Sequence, residues 1–145
     1  MPFTGPLEDR ILIRELIEAY ADAVMIRDAD AWGAVWAEDA YWSLPEVPGH
    51  EEFIGREAIV NGWVASMTQY ASMTDYAEPM IYIATPGAIE VEGGNATARV
   101  YTSEIYKDPD SGKEIRVRGR YDDELRKRDG QWLFTRRIYK IVHVA

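Results

Sequence analysis

The sequence predicts an α+β fold in which a curved antiparallel sheet wraps three N-terminal helices. Two observations predict it. Helical periodicity fills the first half of the chain and strand alternation joined by tight turns fills the second, an order that implies an antiparallel sheet rather than an alternating parallel one. The last third, Glu114 to His143, reads as two long alternating runs around Asp129-Gly130, and Asp-Gly is a strong hairpin signal because the tight turn needs positive φ at its centre. Both arms exceed the usual strand of about five or six residues. Strands that long curl, and the concave face of a curled sheet must be covered.

Taken in order, Pro6 opens a helix with Glu8 and Asp9 in its first turn, where acids suit the helix dipole. Leu12, Leu16, Tyr20 and Val24 recur every four residues, flanked by Ile13, Ile17 and Ala23, so one amphipathic helix is expected over about 7–27. Asp28 or Asp30 caps a shorter helix over about 30–37, with Trp32, Val35 and Trp36 on one side. A short strand, Ala40 to Leu44, leads into a Pro/Gly loop that carries His50. Gly55 to Met67 is the third helix, with Ile59, Trp63 and Met67 on one stripe. Thr68 to Pro79 is poorly patterned and reads as an extension, a loop or a lid. Met80 to Thr85 is a strand and Pro86-Gly87 a break. Ala88 to Val91 and Ala96 to Tyr106 flank a Glu-Gly-Gly-Asn turn, and the long hairpin follows.

At 145 residues the chain is a single domain, 1–145, with 47% hydrophobic and 28% charged residues. A net charge of −9 argues against nucleic acid, which needs a basic face. Cysteine is absent, which excludes disulfides and thiol chemistry. No apolar run approaches the roughly 18 residues of a membrane span, and the start lacks the features of a signal peptide. The expectation is a cytoplasmic protein with no membrane partner. Two distant histidines give no metal signature, and there is no phosphate loop or dinucleotide fingerprint, so neither metal nor cofactor is expected. Five Trp, nine Tyr and three Phe are more aromatic surface than a small core needs, and suit an apolar pocket.

Strand parity selects candidate site residues. Tyr82 shares a face with Met80 and Ala84; it is either a packed tyrosine or a donor to substrate, or a base if a cation ionises it. In the last strand, Arg136, Ile138 and Lys140 are in step with Trp132 and Phe134. If that face looks inward, two cations enter an apolar space and need partners; the opposite parity turns Arg137 inward. Tyr121 and Asp123 share the side of Val117 and Leu125, and Glu104 is in step with Val100 and Thr102. Each of these acids reads as a base or as a structural partner of an arginine or cation. His50 is either a solvated loop residue or an acid/base group at a pocket mouth. Tyr20, Met25, Trp42, Trp63 and Met67, with Met73 and Met80, are core or pocket wall. Leu133, Tyr139 and Ile141 then face outward, which predicts a dimer or trimer packed through the sheet.

Several segments in this order resemble the SnoaL-like branch of the nuclear-transport-factor-2-like superfamily. They are Tyr20 to Val24, Asp28 to Trp32, Ala37 to Ala40, Gly55 to Ile59, Ile89 to Gly93 with Ala96 to Arg99, and Gly119 to Tyr121 with Asp129-Gly130 and Trp132. The resemblance implies a cone-shaped α+β barrel with a deep apolar pocket. It implies a cofactor-independent lyase, either a dehydratase or a carbon–carbon lyase such as one releasing formaldehyde, acting on a hydrophobic aromatic small molecule. An isomerase or hydrolase, a non-catalytic binding protein, and an accessory subunit of an oxygenase are the alternatives. Lyase members place an Asp near the end of the first helix and a His on the strand after the third. Aligned here, those positions hold Met25 and Tyr82, with Asp28 three residues away. The chemistry then falls to Tyr82 with Lys140 or Arg136, and to Asp28 or His50.

Overall fold

The computed structural model describes residues 1–70 and 79–145. The elements are β1 (Phe3–Thr4), α1 (Leu7–Ile26), α2 (Ala29–Ala34), β2 (Trp36–Ser43), β3 (Phe53–Ile54), α3 (Arg56–Met67), β4 (Ile81–Glu92), β5 (Asn95–Lys107), β6 (Glu114–Arg128) and β7 (Gln131–Val144). The strands form one sheet in the order β1-β4-β5-β6-β7-β2-β3. The four long strands, β4 to β7, pair antiparallel as expected. The sheet as a whole is mixed, because β2 pairs parallel to β7 and β1 parallel to β4. Tight turns dictate direction between β4 and β7. No turn links β2 to β7, so nothing forces that edge to be antiparallel.

Asp129 and Gly130 both have positive φ, 52° and 78°, as the hairpin turn requires. Helix α1 ends at Arg27, which adopts the left-handed conformation and donates its N–H to Ala23 O. Asp28 caps α2, its Oδ1 accepting from Ala31 N at 3.0 Å. Helix α2 is shorter than the periodicity suggests: Trp36 belongs to β2, because its ladder with Phe134 replaces another helical turn. Arg56 fastens α3 to that strand by two donations to Trp36 O, at 2.9 and 2.7 Å.

The core lies between helices and sheet. Ile13, Ile17, Tyr20 and Val24 of α1 are buried, while Leu16 is only partly so. Trp32 stacks on Trp63 with ring centroids 4.5 Å apart and meets Trp36 and Trp42 edge-on, tying α2, α3 and β2 together. Asp9 accepts from Trp132 Nε1 at 2.9 Å and from Lys127 Nζ at 3.0 Å, which pins α1 to the hairpin. These bonds hold the Asp9 carboxyl below its usual range, the Trp132 bond most strongly.

Two bulges decide which side chains look inward. Pro86 pairs with Val100 and Ala88 with Arg99, so Gly87 is the extra residue, and the inward set changes from Met80, Tyr82 and Ala84 to Ile89 and Val91. The expected break is thus one continuous strand with a bulge. In β7, Phe134 pairs with Leu125 and Arg136 with Glu124, leaving Thr135 as the extra residue. Thr135 Oγ1 donates to Glu124 O at 3.1 Å and settles the irregularity. Trp132 and Phe134 therefore face inward, but beyond the bulge Arg137 and Tyr139 do so instead of Arg136 and Lys140, which are exposed. Tyr139 and Ile141 do not face outward, so the apolar outer face expected of the hairpin loses two of its three members.

Candidate functional site

A cavity of about 240 Å³ opens between the helices and the inner face of the sheet. Its apolar wall includes Trp42, Trp63, Met67 and Met80, and its polar side includes Tyr82, Glu104, Tyr121 and Tyr139. An engineered apolar cavity of roughly 150 Å³ accepts benzene. The volume here suits one ring with short substituents.

The polar side is built by the ladder. Tyr82 and Glu104 are direct cross-strand partners on β4 and β5, so their side chains leave the same face roughly 5 Å apart. Thr102 stands opposite Gly119 in the next ladder. Tyr139 reaches from β7 across Gly119: a Cβ built on that glycine would lie 2.0 Å from the Tyr139 hydroxyl. Glycine is required there because the phenol takes the space of a side chain.

The hydroxyls of Tyr82, Tyr139 and Thr102 are buried; that of Tyr82 has no protein hydrogen-bond partner among the described residues, while those of Tyr139 and Thr102 have at most each other. Leaving such a group unsatisfied costs about 1–3 kcal/mol. Burial pushes Tyr82 well above the ordinary phenol range, and the neighbouring Tyr20 adds to this against the pull of Arg137. Tyr82 is therefore held as a neutral donor, not an ionised base. Burial likewise raises Tyr139, with Glu104 adding to it and the nearby Thr102 hydroxyl opposing it. Desolvation lifts the Glu104 carboxyl to about 7. No described residue is hydrogen-bonded or ion-paired to Glu104. This is a carboxylate tuned to exchange protons near neutrality.

Beside the cavity sits a second buried polar group with the opposite character. Arg137 is fully buried and donates through Nε and Nη2 to the two oxygens of Asp123, at 2.7 and 3.0 Å. The guanidinium packs over Tyr121, Phe134 and Tyr20 at 4.0, 4.2 and 4.5 Å from their centroids. Desolvation works against its charge, but Asp123 outweighs that and keeps it protonated. Burial pushes Asp123 up to about 6, against the pull of Arg137, so the pair is ionised at neutral pH. Tyr121 continues the network by accepting from Trp42 Nε1 at 3.0 Å and standing 3.5 Å from the Tyr20 hydroxyl.

Of the residues named from the sequence, Tyr20, Trp42, Trp63, Met67, Tyr82, Glu104 and Tyr121 line this cavity, with His50 at its edge, its ring 5.8 Å from that of Phe53. Asp123 lies behind the wall as the partner of Arg137. Met25 is outside it; its Sδ accepts the Tyr82 backbone N–H at 3.0 Å. Asp28 is an exposed helix cap. The inward placement of Arg136, Ile138 and Lys140 is corrected by the Thr135 bulge: Arg136 lies over the Tyr41 ring at 4.5 Å, and Ile138 borders a groove on the outer sheet face. Met73 lies outside the described residues, as does most of the stretch offered as a lid. Tyr139 was missed as a site residue because parity alone put it outside; the signal was Gly119, a small residue in mid-strand that invites a close approach. Among the described residues no three His, Cys, Asp or Glu side chains gather as a metal site, and no helix is long and apolar enough to cross a membrane.

A curved sheet closed over N-terminal helices around an aromatic pocket defines the class of cone-shaped α+β domains. A family model, the SnoaL-like domain, matches residues 5–138, and the chain belongs to that family within the nuclear-transport-factor-2-like superfamily. No curated protein matches the chain. Solved structures match widely, 419 chains in all, so the fold by itself does not select an activity. A hexachlorocyclohexane dehydrochlorinase superposes with a TM-score of 0.82 at 18% identity, over 96% of this chain and 88% of that one. A provisionally assigned aromatic ring hydroxylase from Novosphingobium aromaticivorans is 28% identical, with a TM-score of 0.81 over 98% of this chain and 95% of that one. A provisionally assigned scytalone dehydratase from the same species is 19% identical, with a TM-score of 0.80 over 96% and 87%.

Proposed function

We propose that this protein is a cofactor-independent lyase that eliminates water or a small fragment from a neutral aromatic molecule, with Glu104 as the proton-transferring group. The observation that carries this is the Glu104 carboxyl, without a bonded partner among the described residues and lifted to about 7, in a cavity walled by aromatic side chains. Its carboxylate form takes a proton from the substrate and its acid form returns one to the leaving group. Tyr82 and Tyr139, held as neutral phenols, donate to an oxygen on which negative charge develops. The solved relatives include proteins named for dehydrochlorination and dehydration, which supports elimination as the class.

The test is a panel of aryl alcohols and hydroxy ketones, followed by NMR for release of water or formaldehyde. Turnover should fall about 10²–10⁴-fold in Glu104→Gln with substrate affinity little changed. In the wild type, kcat/KM should rise with pH through about 7, as the carboxylate forms. Full activity in Glu104→Gln would end the proposal. A second reading, a binding protein without catalysis, is favoured by one observation: the two positions where related lyases place Asp and His hold a thioether, Met25, and a neutral phenol, Tyr82. A ring ligand held unchanged through long incubation would select it.

A further inference from the structure

Tyr82 and Tyr139 come from strands that do not touch, β4 and β7, yet both hydroxyls are buried at the same cavity; among the described residues that of Tyr82 has no protein partner and that of Tyr139 has at most the Thr102 hydroxyl. Glu104 lies close enough to both to push each further toward the neutral form. The side chain at position 119 decides whether Tyr139 can be there at all, since any Cβ would collide with its ring and hydroxyl. Two cations stand behind the lining: Arg137 is taken by Asp123 behind the Tyr20 and Tyr121 rings, and Arg27 donates to the Val24 and Tyr70 carbonyls. Around the Glu104 carboxyl the wall thus offers the phenols of Tyr82 and Tyr139, with Tyr121, Tyr70 and Tyr106 further round, and no lysine or arginine among the described lining residues.

We propose that Tyr82 and Tyr139 form a two-donor clamp for a single uncharged acceptor oxygen, a carbonyl or hydroxyl on the ring, that Gly119 is the residue which admits Tyr139 to the clamp, and that the site rejects aryl carboxylates. Two O–H donors satisfy the two lone pairs of a carbonyl oxygen. A benzoate-like anion would instead bring its charge beside Glu104 in a desolvated space, where like charges repel strongly. The clamp rests on the cavity being the ligand site, as proposed above, but not on the elimination chemistry.

Three probes of one shape test it: acetophenone, isopropylbenzene and benzoate, titrated by ligand-observed NMR at pH 8. Wild type should bind acetophenone roughly tenfold more tightly than isopropylbenzene, about what two net hydrogen bonds contribute, and benzoate most weakly. Tyr82→Phe and Tyr139→Phe should each erase part of that preference and leave isopropylbenzene unchanged. Gly119→Ala should behave like Tyr139→Phe; should it fail to fold, the Tyr139→Phe result stands alone. Equal binding of acetophenone and isopropylbenzene, or benzoate as the tightest probe, would overturn the clamp while leaving Glu104 catalysis standing. Loss of oxygen preference in neither phenylalanine variant would do the same. Binding of none of the three would overturn both readings. A clamp that behaves as described, in an enzyme whose Glu104→Gln variant keeps full turnover, would remove only the catalytic role.

Discussion

Arg137 and Glu104 are ionisable groups on the inner face of the same sheet, and the chain treats them in opposite ways. Arg137 is bonded twice to Asp123 and covered by three rings. Glu104 has no bonded partner among the described residues, and the hydroxyl of its cross-strand neighbour Tyr82 has none among them either. A buried charge bonded through two of its three nitrogens and covered by rings, with only Nη1 lacking a partner among the described residues, is part of the scaffold. A part-buried acid with no bonded partner among the described residues, at a cavity and close to neutral in its ionisation, is a cost to folding that a bound molecule can offset. The Arg137 side of the wall reads as support and the Glu104 side as the working surface.

The comparison breaks if the scaffold pair proves dispensable. Asp123→Ala leaves a buried guanidinium without its carboxylate and should cost about 3–5 kcal/mol in denaturant unfolding. A loss below 1 kcal/mol would show that Arg137 finds another partner. Glu104→Gln should act the other way on stability. The folded carboxyl ionises near 7 and the unfolded one near 4.5, so between those values the folded state holds more protons. Wild-type stability therefore falls as pH rises from about 4.5 to 7 and levels off above it. Replacing the acid removes that slope, so the variant should gain on wild type by on the order of 1–3 kcal/mol between pH 5 and pH 8. A constant difference across that range would mean that Glu104 is solvated like any surface acid.

Two smaller effects sharpen the boundary of the site. Asp28→Ala removes the cap bond to Ala31 N and should cost about 1 kcal/mol of stability with turnover unchanged. A fall in turnover without a matching fall in stability would bring Asp28 back as a chemical group. Lys140→Met, on the exposed face, should change turnover less than twofold; a larger drop would mean the outer strand face contacts substrate.

Most of the fold was legible because its signals are local. Asp129-Gly130 demands positive φ, the acids after Pro6 mark a helix start, and strict alternation in β6 put Val117, Tyr121, Asp123 and Leu125 inward, where they are found. The site was half legible. Tyr82 and Glu104 follow unbroken alternation in their strands. Arg137 and Tyr139 do not, because Thr135 inserts one residue into β7 and turns over the side chains from Arg136 to Ile141, where a second irregularity at Val142 follows. A single-residue bulge leaves no mark in composition or periodicity; only pairing with β6 reveals it. The parallel edge was invisible for the same reason: β2 meets β7 through tertiary packing, with no turn between them to read.

Glu104, without a bonded partner among the described residues, is desolvated in the pocket and exchanges its proton near neutrality. Carbon-13 NMR of protein labelled at the glutamate carboxyls, with the Glu104 resonance assigned by its loss in Glu104→Gln, measures this directly. The account predicts a titration midpoint of about 7 in the ligand-free protein. A midpoint at the ordinary glutamate value near 4.5 would contradict it.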